Sequence, residues 1–95
     1  MQEIIKEHYK NNNYNLNDID VSEITDFSGL FSNDKHTGHK DFDINYWDVS
    51  NGNMFYGMFY NCKEFNCDLS NWDVSNGETF RGMFYGCKKF NSDLS

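Results

Sequence analysis

Aspartate recurs at matched positions along this sequence, and carboxylates in register are the first side chains here that could do chemistry. Asp48 and Asp73 lie 25 residues apart, and Asp43, Asp68 and Asp93 follow the same spacing. Carboxylates on neighbouring levels of a structure repel each other unless something compensates for their charge. Calcium would compensate, because it binds carboxylate oxygens. Hydrogen bonds from turn N–H groups to the same carboxylates would serve equally well.

Two histidines in the segment 33–41 form a second possible metal site. His36 and His39 are three residues apart, and Asp34 and Asp41 stand beside them. Imidazole and carboxylate groups are ordinary metal ligands. The segment is also interpreted as a solvated loop or as a loop that contacts a partner. We predict no cofactor and no metal ligand, with metal binding by the aspartates or by these histidines as the alternative.

Catalytic signatures are missing from the sequence. No Ser, His and Asp set and no Cys and His pair has the flanking pattern of a known enzyme class, and there is no glycine-rich phosphate loop. We therefore predict that the chain is not an enzyme.

Acidic and tyrosine side chains are the candidates for binding a partner. Residues 11–34 carry five carboxylates and no Lys or Arg, which makes either a solvated face or a surface that attracts a basic protein by imitating a row of phosphates. Tyrosine is an enriched interface residue, and three tyrosines lie beside a stripe of apolar residues. The predicted partner-binding residues are Asp18, Asp20, Glu23, Asp26, Asp34, Tyr56, Tyr60 and Tyr85.

The net charge of the chain limits the classes of partner that it can bind. Fifteen carboxylates against 8 Lys and Arg give a net charge of −7, which disfavours direct binding to nucleic acid because phosphates would be repelled. The sequence has no apolar run long enough for a signal peptide or a membrane span. We expect a cytoplasmic protein that binds a basic protein partner and no membrane.

A tandem repeat must position all these residues. Residues 43–67 and 68–92 align without a gap and are identical at 16 of 25 positions. A longer copy precedes them at 15–42, and another copy starts at 93–95. We predict a capping helix over 1–14 and the repeats over 15–95, because such units are stable only when stacked.

Each repeat has two halves with different periodicity. Apolar and polar residues alternate over 44–49, which predicts a strand. Apolar residues then recur at i, i+3, i+4 and i+7 over 55–62 and again over 80–87, which predicts a short helix. The expected fold is an α/β solenoid, a leucine-rich-repeat-like stack of short parallel strands and short helices with an N-terminal capping helix. In this stack Phe55, Phe59, Phe80 and Phe84 would be buried at equivalent levels.

The segments NWDVSN at 71–76, GMFYGC at 82–87 and FNSDLS at 90–95 resemble the 25-residue repeats of BspA-like bacterial surface proteins. The same repeats occur in Mycoplasma-type lipoproteins, and the resemblance covers roughly residues 15–95. It implies a leucine-rich-repeat-like fold and a binding or adhesive role, with no catalytic residues to carry over.

These observations predict a non-catalytic protein-binding repeat module. The alternative is a small acidic cytosolic inhibitor of a nucleic-acid-handling enzyme, of the phage-encoded, anti-CRISPR-like or nucleic-acid-mimic kind. The last repeat would expose an apolar face, so we also expect a homodimer formed through the C-terminal repeat.

Overall fold

The computed structural model describes residues 1–90. Regular secondary structure in this range consists of α1, Gln2–Lys10, and a 3-10 helix, Lys35–Gly38. The rest is made of turns and of three isolated parallel β-bridges, each between residues of successive repeats: Asn15 with Asp43, Asp26 with Met54, and Met54 with Thr79. The further copy predicted at 93–95, with Asp93, lies outside the described residues.

The predicted α/β solenoid of parallel strands and short helices is wrong. The described range contains no sheet, since its bridges are single residue pairs. Residues 55–62 and 80–87 form turns where short helices were predicted. The leucine-rich-repeat-like arrangement, which needs both kinds of element, is therefore absent from residues 1–90.

Consecutive four-residue turns account for the spacing that resembles a helix. In 55–58 and 59–62 the N–H of the fourth residue donates to the carbonyl of the first. The third residues, Gly57 and Asn61, both have φ of 60°. A positive φ at the third position alone defines a type II turn, and an α-helix requires negative φ throughout. Phe55 and Phe59 are four residues apart because each begins a turn.

Successive repeats are joined by backbone hydrogen bonds, which at the turns run from each repeat to the next; before the turns the direction reverses, and Asn53 and Glu78 donate to the carbonyls of Thr25 and Asn53. We call residues 15–42 coil 1, 43–67 coil 2 and 68–90 coil 3. Along residues 27–33 and 55–61, every second backbone N–H donates to a carbonyl of the next coil. The N···O distances are 2.7 to 2.9 Å, both between coils 1 and 2 and between coils 2 and 3. The donors are Phe27, Gly29, Phe31 and Asn33 in coil 1, and Phe55, Gly57, Phe59 and Asn61 in coil 2.

Side chains tie the coils together in the opposite direction. The indole N–H of Trp72 donates to the Ile44 carbonyl at 2.9 Å, and the Asn76 amide donates to the Ser50 carbonyl at 2.7 Å. The Cys87 thiol donates to the Phe59 carbonyl at 3.0 Å. The equivalent donors one repeat earlier are Trp47, Asn51 and Cys62, which bond to carbonyls of coil 1. Identical residues recur because each makes the same bond.

Two columns of stacked phenylalanine rings form the core. Phe27, Phe55 and Phe80 stack with centroids 5.4 and 5.3 Å apart, and Phe31, Phe59 and Phe84 stack at 5.5 Å. The predicted burial is confirmed for Phe55 and Phe59, which are fully buried. It is wrong for Phe80, which is 43% exposed, and Phe84 is only partly buried. Both belong to coil 3, which no later coil covers within the described range.

Gly52 makes room for the first column of rings. A methyl group on Gly52 would lie 2.6 Å from Cζ of Phe55 and 2.9 Å from Cε2 of Phe27. Gly77, one repeat later, would likewise meet the ring of Phe80. The two phenylalanine rings differ in their freedom to move. The ring of Phe55 is packed between two other rings, whereas the ring of Phe80 has one exposed side.

Gly52→Ala is expected to lower the free energy of unfolding by about 1–3 kcal/mol, the usual cost of overpacking a core. Gly77→Ala should cost clearly less, because the half-exposed ring of Phe80 can swing away. Urea denaturation of the two variants and the parent chain measures both values. Equal costs would contradict the assignment of Phe55 to the closed core and Phe80 to its open end.

Candidate functional site

Glycines recur in equivalent turns of all three coils. Gly29, Gly57 and Gly82 are the third residues of equivalent turns, with φ of 66°, 60° and 66°. Nothing lies within 4 Å of the position that a Cβ would take at Gly29 or Gly82. Glycine is therefore required there by the backbone conformation and not by crowding. Gly82 is exposed and Gly29 partly exposed, whereas Gly57 is buried, so bare backbone is open to a ligand at Gly29 and Gly82.

Tyrosines stand beside these glycines and form a groove of about 530 Å³. Tyr56 is 54% exposed, Tyr60 43% and Tyr85 67%. The rings of Tyr60 and Tyr85 stack with centroids 5.2 Å apart and planes 10° from parallel. Arg81 and Ser32 complete the lining. We call these residues, together with the three glycines, the tyrosine groove.

The hydrogen bonds between coils position the groove residues. Gly29 donates its N–H to the carbonyl of Tyr56, and Gly57 donates to the carbonyl of Arg81, both at 2.9 Å. Tyr60 and Tyr85 occupy the same turn position 25 residues apart, so their rings lie one above the other. Within residues 1–90 the three tyrosine hydroxyls make no hydrogen bond to protein and Arg81 makes no ion pair. These groups are available to a partner.

The predicted acidic residues lie outside this groove and most of them stabilise turns. Asp20 accepts hydrogen bonds from the N–H and hydroxyl of Ser22, and Asp26 accepts from the N–H of Ser28. These bonds lower the pKa of both carboxyls, with the backbone bond as the larger cause. Glu23 is exposed.

The other two predicted carboxylates hold α1 against coil 1. Asp34 accepts from the N–H of His36 at 2.8 Å, which caps the 3-10 helix, and from the Tyr9 hydroxyl at 2.9 Å. Asp18 pairs with Nε2 of His8 at 3.0 Å. Asp34 also lines a second cavity, of about 830 Å³, between α1 and residues 30–36. The structure thus brings the three tyrosines together but does not unite the eight predicted residues in one site.

The recurring aspartates that lie within residues 1–90 are compensated by turn hydrogen bonds. Asp48 and Asp73 accept from the N–H groups of Ser50 and Ser75, at 3.1 and 3.0 Å. The serine hydroxyl and backbone bonds lower the pKa of both carboxyls. Asp43 and Asp68 accept equivalent turn bonds. This is the second of the two alternatives that the spacing left open.

The two histidines lie against tyrosine rings. His36 lies 4.3 Å from the Tyr9 ring and His39 lies 3.8 Å from the Tyr14 ring, centroid to centroid. No group of three or more His, Cys, Asp or Glu side chains in residues 1–90 is arranged to hold a metal ion. Over the same range no helix is long and apolar enough to cross a bilayer.

The structure does not support the alternative prediction of a small acidic inhibitor that mimics nucleic acid. Four of the five predicted carboxylates accept local bonds, in turns, at the cap of a 3-10 helix and in a histidine pair, and Glu23 is exposed without such a bond. Nothing in the described residues supports the anti-CRISPR-like prediction.

The sequence interpretation missed Arg81, Ser32 and the recurring glycines. The recurrence of Gly57 and Gly82 in the middle of the predicted helices was the available signal, because glycine is unfavourable there by about 1 kcal/mol.

The pair between His8 and Asp18 makes a pH-dependent contribution to stability. The Asp18 hydrogen bond, followed by one to the Ile4 carbonyl, raises the pKa of His8 above 6.5. The stabilisation is therefore complete below the unfolded-state pKa and is lost as the pH rises through the higher folded-state pKa. The effect is small, under about 1 kcal/mol, because the carboxylate is exposed.

Asp18→Asn should accordingly lower the unfolding temperature at about pH 5.5 and leave it unchanged at about pH 9. Asp20→Asn is the matched control, since Asp20 bonds only to Ser22 and should cost the same at both values. Thermal unfolding at the two pH values measures this, and a pH-independent effect of Asp18→Asn would contradict it.

Comparison with known proteins matches the chain to a protein family. The family described as Mycoplasma protein of unknown function, DUF285, matches residues 1–95. No curated protein and no solved structure matches the chain significantly. The predicted resemblance to Mycoplasma proteins is confirmed at the level of the family. Because the match covers the whole sequence, the chain belongs to the Mycoplasma family DUF285.

Proposed function

We propose that this chain is a non-catalytic tandem-repeat module that binds a protein through the tyrosine groove. The observation that carries the proposal is the exposure of Tyr56, Tyr60 and Tyr85 in one groove, beside the bare backbone of Gly29 and Gly82. The repeat spacing of 25 residues and the resemblance to BspA-like repeats support the same role.

Tyrosine suits protein binding for physical reasons. Its ring contributes a large contact area with only two side-chain torsions to immobilise, and its hydroxyl can bond to a partner's backbone. The stacked pair Tyr60 and Tyr85 is already held in place at 5.2 Å, so little rotamer freedom remains to be lost on binding.

The recurring glycines add access to the backbone. Without side chains at Gly29 and Gly82, a partner segment can approach the floor of the groove closely. The groove crosses three coils, so it fits an extended segment that touches each coil in turn. Ser32, Tyr60 and Tyr85 would contact one side of such a segment.

The charge of the chain favours a basic partner. The net charge of −7 produces a negative potential that speeds the approach of a positively charged protein. Aspartates such as Asp20 and Asp26 keep their negative charge to lower pH than usual, because turn bonds lower the pKa of each. Arg81 is the cation of the groove itself and would pair with an acidic residue or a carbonyl of the partner.

The test compares three forms of the chain as bait for proteins from the source cells: the parent, Tyr60→Ala with Tyr85→Ala, and the control Tyr46→Ala. Tyr46 is 72% exposed but does not line the groove. A partner captured by the parent should bind the groove variant at least about tenfold more weakly in calorimetry, since buried interface tyrosines are hot spots. It should bind the control with unchanged affinity.

Association with that partner should also slow as salt rises, because the Debye length shortens below about 10 Å above 0.1 M. Equal affinity for the groove variant and the parent would refute the groove as the binding site. An association rate that does not depend on salt would refute the prediction that the partner is basic. It would not bear on the groove, which the affinity measurements test.

A further inference from the structure

Side chains at one position of the four-residue turns form the walls of the tyrosine groove. Ser32, Tyr60 and Tyr85 are the second residues of equivalent turns in coils 1, 2 and 3, and they line one wall. Tyr56 and Arg81 hold the same position in the preceding turns of coils 2 and 3 and line the other wall. The groove therefore runs along the stack and crosses the coils.

The distance between coils sets the length of the segment that the groove can hold. The rings of Tyr60 and Tyr85 lie 5.2 Å apart, and the core rings of Phe31, Phe59 and Phe84 are spaced at 5.5 Å. Two such intervals, about 11 Å, equal between three and four residues of a polyproline II helix, which rises about 3.1 Å per residue. A segment of about four extended residues thus contacts all three coils.

The polar groups of the groove are mainly hydrogen-bond donors. Although the chain carries 15 carboxylates, none belongs to the described residues that line the groove. The guanidinium of Arg81 can only donate, and the hydroxyls of Tyr56, Tyr60 and Tyr85, which bond to nothing within residues 1–90, can each donate once. The backbone carbonyls of Tyr56 and Arg81 already accept bonds from the preceding coil. The groove therefore suits a segment that is rich in acceptors and poor in donors.

Arg81 makes the charge of the groove unlike that of the whole chain. The net charge of −7 attracts a basic protein. Within the described range, however, Arg81 forms no ion pair, and it would repel a lysine or arginine that entered the groove. The segment inside the groove is therefore uncharged, and the basic residues of the partner lie beside it.

Proline meets these requirements better than other residues. An ordinary segment brings one N–H per residue into a groove with few acceptors, and a buried donor without an acceptor is destabilising. Proline has a carbonyl but no N–H. A proline-rich segment is also extended as a polyproline II helix before it binds, so it loses little conformational freedom, and aromatic-lined grooves recognise such segments.

We propose that the tyrosine groove binds a proline-rich segment of the partner in the polyproline II conformation, with basic residues at the flanks of that segment. The prolines pack between Tyr56 and the stacked pair of Tyr60 and Tyr85. Their carbonyls accept from the tyrosine hydroxyls and from Arg81. This inference rests on the proposed function and names the chemistry of the segment that the groove holds.

The probe is a blocked peptide of eight prolines with a lysine at each end. Titration into the parent chain, followed by NMR, should saturate and should shift the amide signals of Gly29 and Gly57 and the ring signals of the three tyrosines. The control peptide replaces the prolines with alternating glycine and serine and keeps the length and the charge. It should bind at least about tenfold more weakly, because each of its residues carries an N–H.

Three variants of the chain locate the site and divide the effect of the rings from that of the hydroxyls. Tyr60→Ala with Tyr85→Ala should weaken binding of the proline peptide at least about tenfold. Tyr60→Phe with Tyr85→Phe keeps both rings and should weaken it about fivefold, through the lost hydrogen bonds. Tyr46→Ala removes an exposed ring outside the groove and should leave the affinity unchanged. Urea denaturation checks that each variant is folded.

Four results would overturn the proposal. They are no binding at millimolar proline peptide, equal affinity for the two peptides, binding that the double alanine variant leaves intact, and groove signals that shift with cellohexaose but not with the proline peptide. The last result would assign the groove to a glycan.

The partner from the source cells separates this inference from the proposed function. A captured partner that requires Tyr60 and Tyr85, while the proline peptide does not bind, would overturn this inference and leave the proposed function standing. A partner that is insensitive to the groove variant, together with no binding of the peptide, would overturn both.

Discussion

The ladder of backbone hydrogen bonds at the turns is the constraint on which the rest of the structure depends. Alternate N–H groups can reach the next coil only if the chain reverses direction in each four-residue turn. Each such turn requires a positive φ at its third residue, and therefore at every fourth residue of the chain. Gly57 and Asn61 supply it in coil 2, and Gly82 and Gly86 supply it in coil 3. The remaining N–H groups close turns within each coil. The phenylalanine columns follow, because turns that begin every four residues place Phe55 and Phe59 directly over their counterparts.

The same constraint produces the tyrosine groove. Residues at the outside of the turns cannot contribute to the core, so Tyr56, Tyr60 and Tyr85 remain exposed. The glycines that the turns require leave bare backbone beside them at Gly29 and Gly82. The groove therefore follows from how the core is built.

The sequence predicted which residues of successive coils contact each other better than it predicted the local backbone conformation. The spacing of 25 residues identified which residues share a level, and the structure stacks Phe55 on Phe80 and Tyr60 on Tyr85 accordingly. Repetition of Trp72 and Cys87 reflects bonds to the preceding coil. Such relations are readable because identical positions in stacked copies must contact each other.

Local conformation was mispredicted because a four-residue turn and a helix place apolar residues at nearly the same spacing. Gly57 and Gly82 were the residues that distinguish the two, since glycine is unfavourable inside a helix. The strand prediction over 44–49 failed for a related reason. Ile44 and Val49 are buried, but the chain turns between them through the bond from Trp47 N–H to the Ile44 carbonyl. The exposed state of Phe80 and the role of Arg81 depend on which coil lies beside them, and no single repeat contains that information.

The substitution Gly82→Ala tests the turn conformation most directly. Space is open around the position of the new methyl group, so the change in the free energy of unfolding reports the backbone alone. With φ of 66° at Gly82, the alanine variant should be less stable by about 1–2 kcal/mol in urea denaturation. Gly82→Asn should lose less, because asparagine tolerates this conformation, as it does at Asn61. A gain in stability from alanine, with asparagine less stable than alanine, is what a helix would give and would contradict the account.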